Sequence, residues 1–151
     1  MPFDADLVLV DGSADWTFAN INTSAYGTPT STTRNTGGFV VIDLGSARIG
    51  VAARGIAVVL CLSEAAAAAG DALTATVEQS ATMAFTVPHE LGKLQIAGAT
   101  AGVIIGSEVP DTVVLRVTPT LRFLRLKASV TAGDDFGVVY ALLSPYPFRV
   151  L

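Results

Sequence analysis

One cysteine, one histidine and one tryptophan are all that this chain of 151 residues holds of three side chains that often carry chemistry or anchor small folds. A lone Cys61 excludes an internal disulfide, and its place in the apolar run Ile56 to Leu62 reads as a small buried hydrophobe. A lone His89 with one distant cysteine cannot assemble a zinc site, which needs several N, S or carboxylate ligands. The same shortage bears on catalysis. A nucleophilic triad needs a base beside a Ser or Cys, no G-x-S-x-G elbow occurs, and nothing ties His89 to a nucleophile. Charge is scarce too, at 15% of residues against roughly 25% for an ordinary soluble domain. No window reaches the roughly 20 apolar residues of a membrane helix, because the best stretch, Gly55 to Leu62, stops at Ser63 and Glu64. The opening residues, Met1 to Asp6, are acidic where a secretory signal would be basic, so no export signal is expected. What remains is a chain 51% hydrophobic, long enough for one domain or for one domain and an arm. Its apolar surplus is expected to be buried between subunits or against a partner.

Nine Lys and Arg against 13 Asp and Glu leave a net charge of −4, which argues against nucleic acid as a partner. The distribution is uneven. No basic residue precedes Arg34, while Asp4, Asp6, Asp11 and Asp15 all lie in that stretch, so the N-terminal segment carries the whole excess. Four of the nine bases, Arg116, Arg122, Arg125 and Lys127, fall close together near the other end. They read either as a solvated sheet face or as a basic seam that receives an acidic partner surface.

Composition divides the chain at residue 38. Leu7 to Val10 is compatible with a short strand, but Asp11 to Gly38 is dominated by Ser, Thr, Asn, Gly and Ala with neither a helical nor a two-residue apolar period. A structureless loop of that length is uncommon inside a domain, so residues 1–38 are expected to form an extended N-terminal arm. Trp16, Phe18 and Tyr26 punctuate it and would anchor it by burying their rings on another surface or back on its own domain.

Residues 39–151 read as strand after strand. Phe39 to Ile42 is β-branched, and Ile56 to Leu62 is apolar on both sides, as in a central strand covered on both faces. Leu73, Ala75 and Val77 alternate with Thr74, Thr76 and Glu78; Leu124, Leu126, Ala128 and Val130 alternate with Arg125, Lys127 and Ser129. Further strands are expected at Phe85 to Val87, Lys93 to Ile96, Val103 to Ile105, Thr112 to Val117 and Val138 to Leu143. Ser63 to Gly70 resembles a capped alanine run and is the one expected helix, of one to two turns. About eight short strands separated by Gly, Pro and Asp imply an all-β antiparallel sandwich or barrel.

Motifs for chemistry fail one by one. Gly45 to Gly50 has the glycine spacing of a phosphate loop, but Val51 and Ala52 stand where Lys and Ser/Thr are needed, so the glycines serve a turn. Asp134 and Asp135, beside Gly133 and between strands, read as a hairpin turn rather than a catalytic pair. Asp4 and Asp6 lack the further oxygen ligands of a calcium loop. Asn22-Thr23-Ser24 matches a glycosylation sequon and is read as incidental. The expectation is a protein that is not an enzyme and uses neither metal nor other cofactor.

Three segments carry a family resemblance. Val41-Ile42-Asp43-Leu44-Gly45-Ser46-Ala47-Arg48, then Gly70 to Ser80 with Phe85 following, then Arg122 to Val130 appear in that order over about 100 residues. Together they resemble the strands of the jelly-roll capsid cement, or decoration, proteins of tailed bacteriophages, especially short-tailed ones. Phe123 stands where that family often has Tyr, and the first segment normally lies closer to the start of the chain.

The resemblance implies a jelly-roll sandwich over 39–151 that binds the outer surface of an assembled icosahedral shell and clamps neighbouring capsomers. It implies synthesis in a host cytoplasm and residence on the virion. The partners would be the major capsid protein and further copies of this chain, a trimer being favoured over a dimer, with no membrane. Candidate capsid or inter-subunit contacts are Asp4, Asp6, Asp11, Asp15, Trp16, Phe18, Tyr26, Arg116, Arg122, Arg125 and Lys127. The competing expectation is a carbohydrate- or receptor-binding sandwich of a head fibre or tail. Such sites expose aromatic platforms, and only Trp16 and Tyr26 suggest themselves.

Overall fold

Alternation of apolar and polar residues at a period of two puts one side of a strand in a core and leaves the other outside, and this chain repeats the pattern along most of its length. The computed structural model describes residues 7–17, 35–36, 39–45, 55–62, 72–97, 111–130 and 135–145. Among them run nine strands: β1 (Val8–Thr17), β2 (Asn35–Thr36), β3 (Phe39–Asp43), β4 (Ile56–Leu62), β5 (Ala72–Ser80), β6 (His89–Ala97), β7 (Asp111–Val117), β8 (Phe123–Val130) and β9 (Asp135–Pro145). They form two antiparallel sheets, of order β1-β9-β4-β7 and β2-β3-β8-β5-β6. The described residues are all-β, a sandwich of two sheets whose inner faces share one core.

That core is aliphatic. Ile56, Val58, Leu60 and Leu62 of β4 meet Leu73, Ala75 and Val77 of β5 and Leu124, Leu126 and Ala128 of β8, with Phe136 as the largest fully buried side chain. The inward sets expected for β5 and β8 are those observed, because one face of each strand is committed to the core. On β4 the opposite residues Ala57 and Val59 are buried as well, while Cys61 is half-buried rather than enclosed. Cys61 lies on the outer side of the strand, where its Sγ accepts a hydrogen bond from Thr112 Oγ1 at 3.6 Å.

Three strands depart from the sequence expectation. β1 does not end at Val10; it continues to Thr17 and pairs along its length with β9. Residues 8–17 therefore belong to the sandwich and not to an arm, so the boundary expected at residue 38 falls inside the fold. Residues 1–6, 18–34 and 37–38 lie outside the described residues. The reason is positional. At the edge of its sheet β1 is held by backbone bonds to one neighbour, and its register shifts three times, so no regular apolar alternation is demanded of it.

β6 begins at His89, which was expected in a loop, and Phe85 to Val87 is turn rather than strand. β9 starts three residues earlier than expected, and the cause is Gly137. At φ +62° it inserts an extra residue, so that Phe136 and Val139, which strict alternation would point to opposite faces, both enter the core. Gly55, at φ +97° before β4, has a similar need. A Cβ there would be strained and would lie 2.9 Å from Arg116 Nε. The expected helix at 63–70 and the expected strand at 103–105 fall outside the described residues.

Candidate interaction surfaces

The outer faces of the two sheets differ in chemistry. On the second sheet Thr74, Thr76 and Glu78 of β5 lie beside Arg125, Lys127 and Ser129 of β8, all outside the core. A shallow open groove of about 270 Å³ runs here, lined by Thr74, Thr76, Glu78, Glu90, Lys127, Ala128 and Ser129. Glu78 and Glu90 stand directly opposite each other across the β5–β6 pair, a repulsive arrangement. Arg125 offsets it. Its Nε donates to Glu78 Oε2 at 2.6 Å, with both side chains largely buried (15% and 12% exposed), and its guanidinium lies 4.4 Å from the centre of the Phe85 ring.

A second pair closes the end of the same sheet. Arg122 Nε and Nη2 donate to the two carboxylate oxygens of Asp43, each at 2.7 Å, and the Asp43 hydrogen bond and charge raise the Arg122 pKa above its ordinary value. Gly45 N–H donates to Asp43 Oδ1 and Leu44 N–H to the Arg122 carbonyl, which sets the turn after β3. Asp43, Arg122, Glu78 and Arg125 all come from the three segments that carry the family resemblance, and those segments supply β3, β8 and β5, three adjacent strands.

The four clustered bases, read either as a solvated sheet face or as a basic seam, are divided between the two sheets. Arg116 is on β7 in the first sheet, whereas Arg125 and Lys127 are on β8 in the second and Arg122 immediately precedes it. Lys127 is exposed, but Arg122 and Arg125 are engaged within their own sheet. Of the acidic and aromatic candidates, Asp11, Asp15 and Trp16 lie on β1, while Asp4, Asp6, Phe18 and Tyr26 lie outside the described residues. Among the described residues no three of His, Cys, Asp and Glu converge as a metal site, and no helix is long and apolar enough to cross a membrane.

Two apolar surfaces emerge that the charge-led reading missed. On the outer face of the first sheet Val8, Leu142, Val59 and Val114 stand in one register row across all four strands, with Tyr140 in the next row; Val114 is 46% and Tyr140 50% exposed. The second surface is the β5–β6 loop, residues 81–88, where Met83 is 36% and Val87 64% exposed. The signal for the loop was present in the sequence as ten consecutive residues, 79–88, without a charge.

The loop is firmly built. Thr82 N–H donates to Ser80 Oγ at 3.1 Å, Phe85 N–H donates to the Thr82 carbonyl at 3.1 Å, and the Thr82 and Thr86 hydroxyls share a 3.4 Å bond. Phe85, at φ +49°, buries its ring beneath Arg125. Gln79, buried at the base, clasps the neighbouring β7–β8 connection by accepting the N–H groups of Thr120 and Leu121 at 2.8 and 2.9 Å. No protein-family model, curated protein or solved structure matches this chain.

Proposed function

We propose that this chain is a structural, non-catalytic decoration protein that binds the outer surface of an assembled phage capsid and stabilises contacts between capsomers. The observation that carries the reading is the use made of the three resembling segments. They form adjacent strands joined by the ion pairs Asp43–Arg122 and Glu78–Arg125, so their spacing serves one sheet framework rather than three unrelated strands.

Strand order supports the jelly-roll form of that reading. Setting aside the two-residue β2, the pairs β1/β9, β3/β8, β4/β7 and β5/β6 nest first with last, as in a long four-pair ribbon rolled into two sheets. Apolar rows left at the surface support burial by partners, including further copies of the chain, a trimer before a dimer. The polar groove is lined by no aromatic ring, which favours a capsid partner over a glycan.

A decoration protein acts by linkage, since binding only the assembled lattice stabilises it against disassembly, and many equivalent sites add avidity to modest contacts. The test is add-back. Purified protein mixed with expanded shells of the major capsid protein should sediment with them to a fixed saturating ratio and raise the temperature at which they come apart. Failure to sediment with shells would overturn the proposal.

A further inference from the structure

We infer that the β5–β6 loop, residues 81–88, is the part of this chain that seats in an apolar depression of the protein lattice, with Val87 and Met83 as its anchors; this rests on the decoration reading above. Three observations carry it.

The first is chemistry. Apolar side chains dominate what the loop presents, Met83 and Val87 with Ala81, Ala84 and Pro88, and no charged residue occurs from Gln79 to Pro88. Phosphate-bearing partners, whether nucleic acid or an anionic membrane, are bound through Lys and Arg, and this surface offers neither. An uncharged protein surface is the matching partner.

The second is rigidity. The loop backbone is bonded to itself from Phe85 to Thr82 and to the Ser80 hydroxyl from Thr82, and its one strained residue, Phe85, is buried with its ring held under Arg125. A bulky residue at positive φ persists only where its surroundings enforce it, and such strain concentrates where a loop must hold one shape. Ordering entropy is thus spent on folding rather than on binding, which is how a small contact gains useful affinity.

The third is size. Two partly exposed side chains and their small neighbours present on the order of a few hundred Å² at most, short of the roughly 800 Å² per partner of a stable pairwise interface. Such a surface cannot by itself hold a second copy of the chain. It suits a site repeated many times on one lattice, where the copies bind together.

The experiment compares the full chain with Val87→Asp, Met83→Ser and, as a control on the polar face, Lys93→Ala, in sedimentation with expanded shells of the major capsid protein. All three positions are exposed, so circular dichroism and melting temperature should match the parent chain. Val87→Asp should weaken binding at least tenfold and Met83→Ser severalfold, with Lys93→Ala unchanged and the oligomeric state of all four the same by analytical ultracentrifugation. Parental binding by Val87→Asp overturns the inference while leaving the decoration reading standing. A change of oligomeric state in Val87→Asp overturns it by making the loop a self-contact. Failure of the parent chain itself to bind removes both.

Discussion

Replacing Gln79 by Leu should destabilise the protein by about 2–3 kcal/mol, although the bonds that define this uncharged side chain involve no charged or aromatic group. The side chain is buried at the end of β5. Its Oε1 is the acceptor for two backbone N–H groups, of Thr120 and Leu121, and its Nε2 reaches Thr120 Oγ1 at 3.3 Å.

Each of the two short bonds contributes about 1 kcal/mol net, and the donor at half-buried Leu121 loses its partner without full access to water, which adds up to about 1 kcal/mol more. Leu conserves most of the volume, so little cavity cost enters. For a chain of this length the change corresponds to a fall in melting temperature of roughly 5–10 °C. Urea denaturation gives the free energy, and amide hydrogen exchange gives the location, since protection should fall first at Thr120 and Leu121. Thr120→Val is the internal standard, removing the longer side-chain bond while leaving both N–H groups their acceptor, at about 0.5 kcal/mol. A Gln79→Leu variant within about 0.5 kcal/mol of the parent chain would refute the clasp.

Phe136→Ala should cost about 3–4 kcal/mol in urea denaturation, because the largest fully buried side chain leaves a cavity that the bulge at Gly137 holds open; a loss under 2 kcal/mol would contradict that packing. Arg125→Leu should cost about 2–4 kcal/mol by stranding the Glu78 carboxylate opposite Glu90 and uncovering Phe85, and adding Glu78→Gln should recover part of it; a double variant no better than the single one would reject the charge argument. Glu90→Gln should raise stability by about 0.5 kcal/mol, since it removes the like charge across the β5–β6 pair; unchanged stability would show that Arg125 already relieves the repulsion in full.

What could be read in the residues divides along physical lines. β5 and β8 were legible because burial on one face forces alternation, as Leu73, Ala75 and Val77 against Thr74, Thr76 and Glu78 display, and β4 was legible as a continuous apolar run buried on nearly both faces. Of β1 only the start was legible, in Leu7 to Val10; Asp11-Gly12-Ser13-Ala14-Asp15 carries no such pattern and owes its strand to backbone pairing at a sheet edge. The early start of β9 depends on one left-handed glycine, a tertiary detail that periodicity cannot encode.

The surfaces were read through charge, and there tertiary structure intervened. Arg122 and Arg125, close to Arg116 in sequence, lie in the opposite sheet and are spoken for by Asp43 and Glu78. The large hydrophobic residues left facing outward form two separate surfaces: Met83 and Val87 share the β5–β6 loop, whereas Val114 and Tyr140, far apart in sequence, come close only through strand register.

The central claim, that this chain is a stoichiometric component of a capsid exterior, is tested most directly by the protein composition of purified particles. Quantitative mass spectrometry of gradient-purified virions should find the chain at about the copy number of the major capsid protein, and accessible to protease or antibody from outside. Virions that carry it at only a few copies each, or not at all, would contradict the account.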